Sequence, residues 1–388
     1  MHSHLHSDVP TETSRTVKIT LIAIMCVLFA VTVAGVALLW PQPGELPDKR
    51  PWLSEGAKLV SGTVTGIEIG REEGELDVRP DGSAADVIVQ TNPGAPAKDM
   101  RVGDRIQLIE LPPVEVTEGS NYIFFDYHRE LPMALLAAFF VIVVIAVARV
   151  KGLLAILGLV AALVMIWVFT LPALAAGKDA LLTALLTASA VMFIVVYLAH
   201  GISVKTTTAL LGTYAGIAVV TITAWLAIPA AKLTPLMHEE LTDLEFAAPA
   251  TDLRGVLLCG MVLAGVGVLN DVTITQASAV WELRAAAPND SRFSLFTRAM
   301  RIGRDHIAST VYTIAFAYIG SSLGLLTVAS TLDFGITELL TFEDIAEELI
   351  PTLVASIGLV LAIPFTTAIG TWLAGGESEP LALDNPSH

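Results

Sequence analysis

Cysteine is nearly absent. The two that occur, Cys26 and Cys259, each sit inside an apolar run and show neither a disulfide framework nor metal-ligand spacing. Charge is scarce as well: 15% of residues are charged, against about a quarter in soluble domains, which points away from an ordinary soluble protein. Basic residues are the scarcer sign, 22 Lys and Arg against 38 Asp and Glu, for a net charge of -16. That balance lacks the basic footprint of a nucleic-acid binder. Enzyme signatures are missing too: no Gly-x-Ser-x-Gly, Walker loop, paired-histidine zinc motif or Rossmann fingerprint occurs. A non-enzyme without a cofactor is expected. An intramembrane aspartyl protease would need two facing membrane aspartates, and Asp271 has only Asp305, at a helix mouth, as a mate.

Apolar sequence is abundant instead, 54% of residues, with a mean hydropathy of +0.69. Runs of about 18 or more apolar residues are long enough to cross the hydrocarbon core as helices. The runs are roughly Thr20–Trp40, Leu131–Ala148, Leu153–Ala175, Ala180–Ala199, Thr207–Ala230, Val256–Val280, Ile307–Ser330 and Leu349–Ala374. They predict an α-helical integral membrane bundle of about eight transmembrane helices. The short joins Arg149–Gly152 and Gly177–Asp179 predict tight antiparallel hairpins. The first run exceeds the usual 7–15-residue signal core, and "LLWPQPG" places Trp40 at an interface rather than a cleavage site, so an uncleaved anchor is expected.

Basic residues set the expected orientation. Arg15 and Lys18 precede run one, Arg149 and Lys151 follow run two, and Lys205 follows run four. Arg284, Arg292, Arg298, Arg301 and Arg304 follow run six. All fall on one side if the N-terminus is cytoplasmic, while Glu239, Glu240, Asp243 and Glu245, and Glu338, Glu343, Asp344, Glu347 and Glu348, fall on the other. Both termini are then cytoplasmic.

The expected organisation is a flexible cytoplasmic segment 1–18, the anchor 19–40, an extracytoplasmic β-rich domain 41–130, a seven-helix domain 131–374 and a disordered tail 375–388. The β-rich reading rests on "LVSGTVTGIEI", "ADVIVQT", "RVGDRIQLIEL" and "NYIFFDY", β-branched runs separated by turn residues. Four to six strands are expected, with "VGDRI" suggesting a small barrel and closure left open.

Run six carries "GVGVLNDVTITQASA", with Asn270 and Asp271 side by side inside apolar sequence. A carboxylate near the bilayer centre costs about 2.5–3.5 kcal/mol on insertion scales, so intramembrane ionisable groups are functional candidates. Helical spacing aligns Asp271, Thr275, Ser278 and Glu282, a line of oxygens suited to a cation or a proton. Interhelical hydrogen bonding is the competing reading. Arg304, Asp305 and His306 open run seven and are the expected partners of Asp271 at a cytoplasmic mouth; marking the membrane boundary is their simpler role. Between the runs, "NDSRFSLFTRAMRIGRDHI" reads as an amphipathic interfacial helix. Small residues predict close helix packing at Gly212 and Gly216 and at Gly260 and Ala264. Pro364, with Thr366 and Thr367, is expected to kink run eight. His2, His4 and His6 form a weak candidate metal-binding tract. Besides the bilayer, the expected partners are further copies or related membrane proteins.

The segments "VGVLNDVTITQASAVWELR", "RAMRIGRDHIASTVYTIAFAYIGSSL" and "VASIGLVLAIPFTTAI" resemble the YibE/F-like family of bacterial multi-pass membrane proteins. So does "DYHRE" ahead of run two, except that Glu130 stands where a small residue would be expected. The resemblance runs from about Tyr122 to Leu373. It implies a multi-span architecture with an extracytoplasmic segment, and it implies no mechanism. Permease-like movement of a small ion or metabolite is one expected function. A non-transporting scaffold or envelope assembly factor acting through the β-domain is the other.

Overall fold

A computed structural model describes residues 15–49, 51–67, 75–90, 100–112, 121–233, 244, 246–331 and 335–374. His2, His4 and His6, the acidic residues Glu239, Glu240, Asp243 and Glu245, and the tail 375–388 lie outside the described residues. The chain divides into two compact units, Asp48–Val147 and the remainder.

The first unit is built on five strands: β1 (Lys58–Gly66), β2 (Glu75–Pro80), β3 (Val87–Gln90), β4 (Arg105–Glu110) and β5 (Tyr122–Tyr127). They close into a barrel in the order β1-β2-β3-β5-β4, antiparallel except where β3 meets β5. The result is a small, closed five-stranded barrel. Alternation builds its core: Leu76 and Val78 of β2 and Ile106 and Leu108 of β4 point inward, joined by Val64, Val89 and Phe124. Gly62 lets β1 approach closely, since a Cβ there would lie 2.7 Å from a methyl of Val78. The expected turn at Gly103 and Asp104 forms as the sequence implies. Gly103 has φ +100, and the Asp104 carboxylate accepts from the Arg101 N–H at 2.8 Å. A polar clasp leads out of the barrel: His128 bonds Ser61 Oγ at 2.9 Å and Glu130 Oε2 at 3.0 Å.

The second unit is helical. Its elements are α1 (Arg15–Leu39), α3 (Leu171–Ala175), α4 (Ala180–His200), α5 (Val204–Ala230), α6 (Leu253–Ala286), α7 (Arg292–Ser321), α8 (Leu323–Ser330), α9 (Ile336–Thr341) and α10 (Glu343–Ala374). The helix α2 (Glu130–Met165) begins in the barrel unit, and the π-helical turn Ile166–Thr170 joins it to α3. Among the described residues, six helical segments are long and apolar enough to cross a membrane, or seven if α7 and α8, bent by 66°, count as one. All eight predicted runs are helical. Runs two and three, however, share one 46-residue helical segment, Glu130–Ala175. Two helices meet at a kink within it, at the join expected at Arg149–Gly152. Arg149 marks the kink, at φ 53 and ψ -130.

The reversal at Gly177–Asp179 does form. The N–H groups of Gly177 and Lys178 donate back to Leu174 and Ala173, Gly177 takes φ +70, and Asp179 caps α4 by accepting from the Leu182 N–H at 2.7 Å. Helix α5 starts at a capping box between Ser203 and Thr206.

Helices α5, α6 and α10 pack most extensively against one another. Glycine makes this possible: a Cβ on Gly216 would lie 2.5 Å from Leu269 and 3.1 Å from Ala362, and one on Gly212 would overlap Thr366. Helix α7 folds back on α6 through a short turn. Buried Arg284 donates to the carbonyls of Pro288 and Asp290 at 2.9 and 2.8 Å, and Asp290 pairs with Arg298 at 2.5 Å. The segment expected as an amphipathic interfacial helix is helical and forms the first half of α7. Leu295, Ala299, Gly303 and Ile307 recur every four residues without a break, and Leu295 and Ala299 are buried beside Val280 and Ala374.

Candidate functional site: the polar face of helix six

Helix α6 has 34 residues, about 51 Å at 1.5 Å per residue, so it outreaches the ~30 Å hydrocarbon core. Asp271 lies near its middle. One side of α6 is buried through Val262, Val266, Leu269, Thr273, Gln276 and Val280. The opposite side exposes Gly260, Ala264, Gly267, Asp271, Thr275 and Glu282, with Ser278 half-buried. The predicted line of oxygens therefore exists, but it faces away from the chain's own bundle. This corrects the expectation of a buried aspartate: Asp271 is turned by about 100° from fully buried Val272.

The small residues divide in the same way. Gly212 and Gly216 mediate close packing inside the chain, whereas a Cβ on Gly260 or Gly267 would meet nothing within 4 Å. Gly260 and Ala264 are thus not an internal contact, because they share the open face with Asp271. Nor are Arg304 and Asp305 drawn to it. Both are exposed, and among the described residues no ion pair joins either of them to Asp271. His306 is half-buried with its Nε2 enclosed and unpartnered, as is the Oδ1 of Asn270. Among the described residues no three His, Cys, Asp or Glu side chains gather as a metal site.

The polar groups that do meet inside are neutral. Gln276, 2% exposed, donates from Nε2 to Thr367 Oγ1 at 2.7 Å on α10 and to the Ala299 carbonyl at 3.1 Å on α7. Thr213 and Thr273 share a hydroxyl bond of 2.7 Å between α5 and α6. Thr366 and Thr367 donate to the carbonyls of Ala362 and Ile363 in their own helix, so these hydroxyls near Pro364 are spent on the backbone. A second neutral chain runs from Thr32 on α1 through Ser189 on α4 to Tyr214 on α5, each step 2.6 Å. These contacts serve as interhelical glue. For Gln276 and Ser189 as junction residues, the only signal in the sequence is a lone amide or hydroxyl inside a long apolar run.

Residues 136–376 match the YibE/F-like protein family. The chain belongs to that family. The match covers the helices from α2 to α10 but not α1, and it starts beyond the barrel strands and the "DYHRE" segment. No curated protein and no solved structure matches the chain. The open face of α6 and the Gln276 junction both fall inside the YibE/F-like region.

Proposed function

We propose that this YibE/F-like protein is permease-like, and that a small cation or proton moves along the open face of α6 with Asp271 as the titratable or ligating group. The observation that supports this most is the position of Asp271: mid-helix, exposed from its own bundle and followed by Thr275 and Ser278 on the same face. Left against lipid, the carboxylate would cost about 2.5–3.5 kcal/mol. Water or a polar protein surface removes that cost. Gly260, Ala264 and Gly267 continue the face without internal contacts, and small residues of this spacing let another helix approach closely. The face is accordingly assigned to a junction with a second copy or a related membrane protein, with the path running beside it.

In this reading the protein lies in the bacterial plasma membrane with both termini cytoplasmic and the barrel outside. The basic ends support it: Lys18, Lys205, Arg284 and Arg298 share one end of the bundle, while Asp179, Asp252 and Glu347 share the other. Flux into proteoliposomes carrying wild type or Asp271→Asn tests the reading, together with cross-linking of Gly260→Leu. Loss of flux in the first and loss of dimer in the second support it; unchanged flux at every pH removes Asp271.

The packed interior around Gln276 favours a second reading, a scaffold that acts through the barrel. Deleting residues 41–130 while keeping the helices separates the two, since a phenotype that survives the deletion rules the scaffold out.

A further inference from the structure

Helices α1, α4 and α5 enclose a lateral groove of about 620 Å³, within the ~300–1,000 Å³ range of small-molecule sites. Its walls are apolar: Met25 and Phe29 from α1 and Phe193 and Ile194 from α4. Phe29 and Phe193 meet edge to face at 5.5 Å and close one end, next to the Thr32–Ser189–Tyr214 chain. The other end is cationic. Lys18 lines it, is exposed and makes no ion pair among the described residues. Ser203, the cap residue of α5, lines the same mouth, so the positive end of a 27-residue helix adds to the lysine. Lys151 and Lys205 are within electrostatic reach of His200 at this end of the bundle. No carboxylate is among the residues lining the groove.

An occupant must match an apolar slot and a cationic mouth together. A soluble anion lacks the tail, and a zwitterionic lipid lacks the net charge. We infer that the groove holds one anionic phospholipid of the bilayer, an acyl chain against Met25, Phe29 and Phe193 and its phosphate at Lys18. This site is separate from the polar face of α6 and does not depend on transport. The lipid fills the wedge between α1 and the bundle, which α1 otherwise meets mainly through α4.

The test uses the full chain, reconstituted in vesicles of equimolar phosphatidylcholine and phosphatidylglycerol, extracted in mild detergent and analysed for retained lipid by mass spectrometry. Wild type should retain phosphatidylglycerol in preference to phosphatidylcholine. Lys18→Gln should lower the retained phosphatidylglycerol ~5-fold, the factor one lysine contributes at an anionic surface, and Lys18→Arg should keep it. Ile194→Trp, which fills the slot, should lose the lipid while leaving the size-exclusion profile unchanged. Equal retention of the two lipids by wild type overturns the inference. So does undiminished phosphatidylglycerol on Ile194→Trp, a result that stands whether or not Lys18→Gln folds.

Discussion

The side-chain amide of Gln276 donates to the Thr367 hydroxyl at 2.7 Å, tying α6 to α10. The same nitrogen reaches the Ala299 carbonyl on α7 at 3.1 Å. Three helices thus meet at one buried amide, and Gly303 leaves the room for it: a Cβ there would lie 3.1 Å from Gln276 Oε1 and 2.6 Å from Ile363. Gln276→Leu keeps most of the volume and removes both bonds. Each interhelical bond is worth about 0.6–2 kcal/mol in a membrane, so a loss of roughly 1–3 kcal/mol is expected. Reversible unfolding in mixed micelles measures it. Gly303→Ala should couple with Gln276→Leu, because the two share one space.

Two glycines of similar sequence context should behave oppositely. Gly212→Ala drives a methyl into Thr366 and should destabilise by about 1–3 kcal/mol, the usual cost of overpacking. Gly260→Ala meets open space and should change the stability of the isolated chain by less than about 0.5 kcal/mol. Thermal melts of the two variants in detergent decide the matter; equal losses would show that Gly260 has an internal neighbour.

Ser189 is the centre of the hydroxyl chain that joins α1 to α4 and α5. Ser189→Ala strands Thr32 and Tyr214 from their shared partner, although Thr32 keeps its bond to the Leu28 carbonyl. A loss of about 1–2 kcal/mol is expected from the unmade bonds, together with faster protease cleavage after α1. Wild-type cleavage kinetics in Ser189→Ala would place the attachment of α1 elsewhere.

The eight apolar runs were legible in the sequence because length alone reports a helix that can span. The strands of the barrel, though not its closure, were legible because alternation reports strands with one face inward, as at Ile106 and Leu108. The form of the join at Arg149 was not. A charged pair followed by glycine looks like a loop, yet the two helices meet at a kink in which Arg149 alone leaves helical geometry. Facing was the harder matter at Asp271. In a membrane bundle lipid is as apolar as the core, so spacing groups Asp271 with Thr275 without saying whether that stripe points in or out. The same ambiguity let Gly260 pass for a packing residue like Gly212. Gln276 sits one residue beyond Thr275, about 100° away on the wheel, and that step takes it from the open face to the centre of the bundle.

The turn between α6 and α7 carries a pH dependence of known sign. Hydrogen bonding from Arg298, followed by that from Ser294 with burial opposing, holds the Asp290 carboxyl below the ordinary aspartate value. Its folded pKa is depressed, so its contribution is fully present above the unfolded value, about 3.9. It is lost as pH falls through the folded value. Melting temperature followed downward from pH 7 should fall more steeply in wild type than in Asp290→Asn in the acid limb. Parallel curves would mean that the pair adds nothing to stability.

Asp271 carries the central claim. Wild type and Asp271→Asn, matched for amount and orientation in proteoliposomes, are compared for proton and cation flux across the pH range. Flux is expected in wild type and only background flux in Asp271→Asn, with both proteins showing the same melting temperature, because the exposed carboxylate makes no ion pair among the described residues. Equal flux at every pH, from proteins equally folded, would contradict it.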